Sequence, residues 1–209
     1  MNSNSDWKSE LRHSIRLADQ LLKRFPDLTD LEAIKKAASL FPMAITPYYA
    51  SLIETADFSD PIFRMAVPSG DELISPLYLS EDPLGEEGDR VSPGLVHRYK
   101  DRALLISTSN CAVYCRHCTR KRLAQDAESA LSDADLESAI QYLTAHPEIK
   151  DLLLSGGDPG TLSTSSIERI LRALRRVPSL EVIRFCTRTP VTLPMRFDDE
   201  LLQLLRRYQ

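Results

Sequence analysis

Hydrophobic positions along the chain fall into two regimes. Up to about residue 95 the pattern is helical, with proline-rich connections. In SELRHSIRLADQLLKRF, Leu11, Ile15, Leu17, Ala18, Leu21, Leu22 and Phe25 share one broad face, which predicts an amphipathic helix. TDLEAIKKAASLF opens with Thr29 three residues before Glu32, a capping-box spacing. The five prolines between Pro61 and Pro93 predict extended connectors.

From Ala103 the rhythm changes. ALLIST reads as a buried strand, and SDADLESAIQYLTAHP as a helix capped by Ser132 with Asp135 at its third position. DLLLSGGDPG is a strand ending in a glycine turn, STSSIERILRALRRVP a second helix, LEVIRFCT a third strand. A last helix starts at the N-cap Asp198. The order β-α-β-α-β-α predicts an α/β fold with parallel strands. Three such units make half a barrel or one side of an open sheet, with an exposed edge that favours self-association. The expected organisation is residues 1–95 as a helical N-terminal region and residues 96–209 as an incomplete β/α core. The final helix has barely begun at Gln209, which suggests a chain cut partway through its fold.

In such folds chemistry gathers at the C-terminal ends of the strands. Three conspicuous segments follow the three strands: the cysteine stretch STSNCAVYCRHCTRKR, then SGGDPG, then TRTPVTLP. Composition adds limits. The 209 residues carry a formal charge of −4 and no basic domain, so no nucleic-acid partner is expected. No apolar run approaches the roughly 20 residues that span a bilayer, and the polar N-terminus lacks a signal core, so no membrane association is expected and the chain reads as cytoplasmic. Thiols stay reduced in that compartment, and clustered cysteines then point to metal or redox chemistry.

Cys111, Cys115 and Cys118 are spaced C-x3-C-x2-C. Zinc usually takes four ligands, often as two distant C-x2-C pairs; there is no second pair, and Cys186 reads as a strand thiol. A [4Fe-4S] cubane held by three cysteines keeps one iron open for a small ligand. Zinc, a structural cluster and an open cluster all remain compatible with the spacing alone.

This spacing after the first strand of a β/α half barrel resembles the radical S-adenosylmethionine (SAM) superfamily. The further segments ITPYYASLI, DPIFRMAVPSGDEL, SPGLVHRYKDRALLIST, CRHCTRKR, LLLSGGDP and TRTPVTLPMR resemble lysine 2,3-aminomutase and its relatives, from about residue 6 onward. The resemblance implies a partial (β/α) TIM-like barrel of the radical SAM type, preceded by the helical region. It implies that Cys111, Cys115 and Cys118 hold a [4Fe-4S] cluster. SAM would chelate the fourth iron and be cleaved to a 5′-deoxyadenosyl radical. Pyridoxal phosphate (PLP) would carry a 1,2-amino migration that gives a β-amino acid.

The same resemblance implies residue roles. Ser155, Gly156, Gly157 and Asp158 meet the methionyl part of SAM, and His117 lies near its adenine. Arg98 and Arg102 bind the PLP phosphate, and Arg120 pairs with the substrate carboxylate. Lys100 and Lys121 do not match the family's PLP-imine lysine, whose C-terminal region has no counterpart here, so the chain is expected not to complete turnover alone. Cys186 stands where relatives have glycine. The expected substrate is lysine, given Thr119 after the last cysteine; glutamate and a protein-bound lysine are the alternatives. A reductant such as flavodoxin or ferredoxin is implied, and a homo-oligomer at full length. Two other classes compete: a zinc or cluster module without turnover, and a paralogue that binds SAM without a second cofactor.

Overall fold

The computed structural model describes residues 6–74, 76–124 and 129–209. In chain order the helices are α1 (Trp7–Arg12), α2 (Ala18–Arg24), α3 (Leu31–Leu40), α4 (Pro47–Ser51), α5 (Pro61–Ala66), α6 (Asp133–Ala145), α7 (Thr164–Leu174), α8 (Thr189–Thr192) and α9 (Asp199–Arg207). The strands are β1 (Arg90–Ser92), β2 (Leu95–Tyr99), β3 (Arg102–Thr108), β4 (Asp151–Gly156) and β5 (Val182–Phe185). The chain divides into two compact units. One takes the described residues within Met1–Pro83, Cys111–Gln125 and Thr189–Met195; the other takes those within Leu84–Asn110, Asp126–Arg188 and Arg196–Gln209.

The first unit is helical, and it departs from the periodicity in three places. The long N-terminal helix expected over 9–25 is two helices. The chain leaves helical geometry between them because Ile15 exchanges backbone hydrogen bonds with Ile45, N–H to carbonyl at 2.8 and 3.0 Å. Thr29 does not cap α3: Asp30 takes the N-cap in the left-handed region (φ 59°) without a side-chain bond, a conformation aspartate tolerates better than most residues. The stretch from Pro61 is not merely a connector. Pro61 occupies the first turn of α5, where a missing N–H costs nothing. Asp60 caps that helix, its carboxylate accepting from the N–H groups of Ile62, Phe63, Glu54 and Thr55. Leu21, Ile34, Met43, Ile45, Tyr49 and Phe63 form the core.

The second unit is α/β, as the alternating pattern predicts. Its sheet runs β1-β2-β3-β4-β5, antiparallel across the first two pairs and parallel from β3 through β5. The first two strands were not legible as strands, being three and five residues long and joined through Gly94 at φ 74°. Register puts Ala103, Leu152 and Ile183 in one row and Leu105, Leu154 and Phe185 in another. Both rows pack against Ile140 and Leu143 of α6, Ile170 and Leu174 of α7, and Leu201 and Leu204 of α9. Each such buried side chain contributes about 1.5–3 kcal/mol. Ser132 and Asp198 cap as expected, accepting from Asp135 N–H and Leu201 N–H, and Ser163 caps α7 by accepting from Ser166 N–H.

The alternate positions lie on the opposite face: Arg102 and Asp151 in one row, Leu104, Leu153 and Arg184 in the next, Ile106 and Ser155 after them. Because β3, β4 and β5 are parallel, the segments that follow them all leave from the same end of the sheet. No helix among the described residues is long and apolar enough to cross a membrane.

Candidate active site

In the first unit, the cysteine loop is organised by the residues between its cysteines. Val113 is buried in the helical core. Tyr114 packs with Phe41 and Ala44, and its N–H donates to Ala44 O at 3.1 Å. Arg116 N–H donates to Met65 O at 2.9 Å. With these groups turned inward, Cys111, Cys115 and Cys118 are left half-buried. Cys118 Sγ accepts a hydrogen bond from Arg120 N–H at 3.3 Å. Among the described residues no three His, Cys, Asp or Glu side chains converge on a point suited to one metal ion. A cubane attaches each thiolate to a different iron, so its ligands need no such convergence. Three half-buried cysteines on an anchored loop fit that group.

Arg116 is the residue the sequence reading missed. Its side chain is 6 % exposed. Nε and Nη2 form a two-pronged pair with Glu72 at 2.9 and 2.7 Å, Nη1 donates to Pro42 O at 2.9 Å, and the guanidinium sits over the Phe41 ring, 4.4 Å from its centroid. Lys121 Nζ reaches the same carboxylate at 3.0 Å. Burial alone would raise the Glu72 pKa; the hydrogen bonds and charge of Arg116, with Lys121 and Ser69 N–H, outweigh it and hold the carboxyl below its usual range. A buried guanidinium requires compensating partners, so an arginine between cluster cysteines is a signal in itself, but its partners lie 44 to 75 residues away in sequence.

His117 is exposed and lines an open cleft of about 550 Å³ with Phe58, Arg64, Met65 and Glu72. Arg120 is half-buried. Arg122 pairs with Asp82 at 3.1 Å.

In the second unit, the glycine turn is fitted against the end of β3. Gly157 N–H donates to Thr108 O at 2.6 Å and Asp158 N–H to Asn110 O at 2.7 Å. Gly156 lies at φ 118°, and a Cβ there would stand 2.5 Å from Thr108 O; a Cβ on Gly157 would overlap the Asn110 carbonyl. Both positions therefore require glycine. Ser155 is half-buried, its carbonyl accepting from Ser107 Oγ at 2.9 Å. Asp158 is 5 % exposed. Its carboxylate accepts from Gly160 N–H at 2.8 Å, Thr187 Oγ1 at 2.5 Å and Arg188 N–H at 2.7 Å. It thus ties the turn after β4 to the segment after β5. Arg196, fully buried, donates to the carbonyls of Gly160 and Leu162 at 2.9 and 3.0 Å. Burial pushes its pKa down from the usual arginine value, with Asp198 opposing.

The two arginines of the HRYKDR segment lie apart in their partners. Arg98 donates to Leu84 O and stands 3.8 Å from Asp89. Arg102 Nε donates to Asp151 at 2.9 Å, as does Arg184 Nε. Cys186 follows β5, half-buried, its N–H bonded to Leu154 O at 3.0 Å.

Residues 105–209 match the Radical SAM superfamily. Over 98 % of its length the chain is 43 % identical to L-lysine 2,3-aminomutase of Acetoanaerobium sticklandii, covering 50 % of that protein. It is 42 % identical to the enzyme of the same name from Methanococcus maripaludis over 98 % of the chain and 48 % of the relative. Glutamate 2,3-aminomutase of Clostridioides difficile is 37 % identical over 99 % of the chain and 50 % of its own length. The chain spans about half the length of the curated relatives it matches. Anchored cysteine loop, glycine turn and sequence similarity agree: similar over nearly its whole length to about half the length of the lysine 2,3-aminomutases, the chain belongs to the radical SAM superfamily.

Proposed function

We propose that these residues form the cluster- and cofactor-binding part of a radical SAM aminomutase acting on a free amino acid, with lysine as the substrate. The observation that carries this reading is the cysteine loop, in which Val113, Tyr114 and Arg116 are buried while Cys111, Cys115 and Cys118, spaced C-x3-C-x2-C, are half-buried and in no disulfide. Lysine is favoured over glutamate because the relatives of higher identity are the lysine-named ones.

When bound, a reduced [4Fe-4S] cluster with SAM supplies hydrogen-atom abstraction, and PLP supplies the electronic sink that lets an amino group move between neighbouring carbons. The chain's own residues bind and orient. Cys111, Cys115 and Cys118 supply the three thiolates. Arg120 N–H, already bonded to Cys118 Sγ, withdraws charge from that sulfur and favours the reduced cluster. The backbone of Ser155, Gly156 and Gly157 offers close approach to the methionyl group of SAM, and Asp158 fixes the turn from behind. His117 is available to the adenine. Arg120 pairs through its guanidinium with the substrate carboxylate, a two-pronged contact that sets the α-carbon's position. Arg98 and Arg102 serve the PLP phosphate. The amino migration is assigned to the full length on which the relatives are named, with a cytoplasmic reductant such as flavodoxin or ferredoxin.

The test is electron paramagnetic resonance on anaerobically reconstituted, reduced protein, with and without SAM. A cubane signal that changes on adding SAM is expected. A cluster signal indifferent to SAM, or zinc in place of iron, would overturn the reading. Cys115→Ala should remove the SAM-responsive signal and SAM cleavage; retained cleavage would remove Cys115 from the ligand set.

A further inference from the structure

In the first unit, residues 76–79 form a tight turn, Leu79 N–H donating to Pro76 O at 3.0 Å. Turn corners ordinarily carry glycine, proline or short polar side chains. This one presents Leu77, fully exposed, and Tyr78, 86 % exposed, with Leu79 beside them at 63 %. Contiguous exposed apolar side chains of this kind mark a surface that another group covers. Both flanks of the turn are pinned to one segment. On one side Glu72 accepts from Arg116, which lies between the second and third cysteines, and from Lys121 at 3.0 Å. On the other, Asp82 pairs with Arg122 at 3.1 Å, both side chains more than four-fifths covered. Arg116, Lys121 and Arg122 all belong to the cysteine segment. The strap between Glu72 and Asp82 therefore leaves that segment and returns to it. Leu77 is five residues from either pin. At about 3.5 Å per residue it stays within roughly 17 Å of both, and Pro76 fixes φ at the start of the turn.

We propose that the tip formed by Leu77, Tyr78 and Leu79 is a lid that folds down onto SAM held at the cysteine loop. The proposal rests on the radical SAM reading. The two covered ion pairs keep the ends of the strap in place, and the tip between them moves. Folding down buries its apolar side chains, which offsets the cost of ordering the strap. It also excludes water from the ligand, which suppresses side reactions.

The experiment is limited chymotrypsin digestion of the anaerobically reconstituted 209-residue chain, with and without SAM, at a low and a high protein concentration. Mass spectrometry follows the cut after Tyr78, and the paramagnetic resonance of the same samples follows SAM binding. SAM should slow that cut about tenfold, equally at both concentrations. The double variant Leu77→Asn with Tyr78→Asn changes side chains that stand in water, so its circular dichroism and iron content should match wild type. It should nevertheless raise the SAM concentration needed for the resonance change about tenfold. Tyr78→Phe, which keeps the apolar ring, should behave as wild type. A resonance that responds to SAM with an unchanged cutting rate, or with an unchanged SAM requirement in the double variant, would overturn the lid and leave the radical SAM reading standing. Protection that depends on protein concentration and not on SAM would overturn it in favour of a contact between copies. A resonance indifferent to SAM would overturn the reading and the lid with it.

Discussion

Replacing Arg116 by methionine tests whether the cysteine loop is held from within. The substitution keeps most of the apolar stem and removes the guanidinium. It deletes two bonds to Glu72 and the bonds to the Phe41 and Pro42 carbonyls, and leaves the Phe41 ring without its cation. Removing one partner of a buried pair costs about 3–5 kcal/mol, most of it from the charge left behind. Here Glu72 keeps Lys121 at 3.0 Å and its side chain is 17 % exposed, so the lower end, about 3 kcal/mol, is expected. Urea unfolding followed through Trp7, the only tryptophan, reports on the helical unit directly. Glu72→Gln alone and the double substitution complete a thermodynamic cycle; a coupling of about 2 kcal/mol is expected for residues in one network. Iron content after reconstitution should fall with Arg116→Met although every cysteine is intact. A loss of under about 0.5 kcal/mol, as for an ordinary surface ion pair, with full iron loading, would refute the anchoring argument.

Gly157→Ala must displace the Asn110 carbonyl and should weaken SAM binding while a cubane signal persists; unchanged SAM affinity measured by the same resonance titration would contradict the close fit. Asp158→Ala strands the Gly160 and Arg188 N–H groups and the Thr187 hydroxyl; at about 1–3 kcal/mol for an unsatisfied buried group, a loss near 3 kcal/mol in urea unfolding is expected, and an intact midpoint would argue against its role as a tie. Because the Glu72 carboxyl is held below its usual range, its contribution is present above the unfolded carboxylate value near 4.3 and is lost as pH falls through the lower folded value. The acid transition of Glu72→Gln should therefore be flatter below about pH 4 than that of wild type; identical profiles would dissociate Glu72 from acid stability.

The α/β half of the fold was legible where local and tertiary preferences agree. Ser132 and Asp198 cap helices whose apolar stripes face the sheet core. What escaped was decided by distant partners. No local signal marks Ile15 as the point where a helix stops, because its partner Ile45 lies 30 residues away. The cysteines and the glycine turn were visible as motifs. The residues that hold them were not: Arg116 drew no reading, and Asp158 was read as a ligand contact, because Glu72, Thr187 and Arg188 lie far from them in sequence. Asp151 gave no sign of itself, since a lone aspartate at a strand start is ordinary until two arginines converge on it.

The sheet also sets an order of assembly. β1, β2 and β3 are joined by turns of a few residues, whereas β4 meets β3 only after residues 109–150 have been traversed, and β5 meets β4 after residues 157–181. Local pairings close with little loss of chain entropy and non-local parallel ones are slow. The antiparallel meander is therefore the template onto which the parallel strands add. Its Gly94 turn, where a Cβ would stand 2.9 Å from a Leu131 methyl carbon, becomes a kinetic control point: substitution there should slow refolding more than it accelerates unfolding. The least chemical part of the sheet would then govern how quickly its ligand-bearing end comes into being.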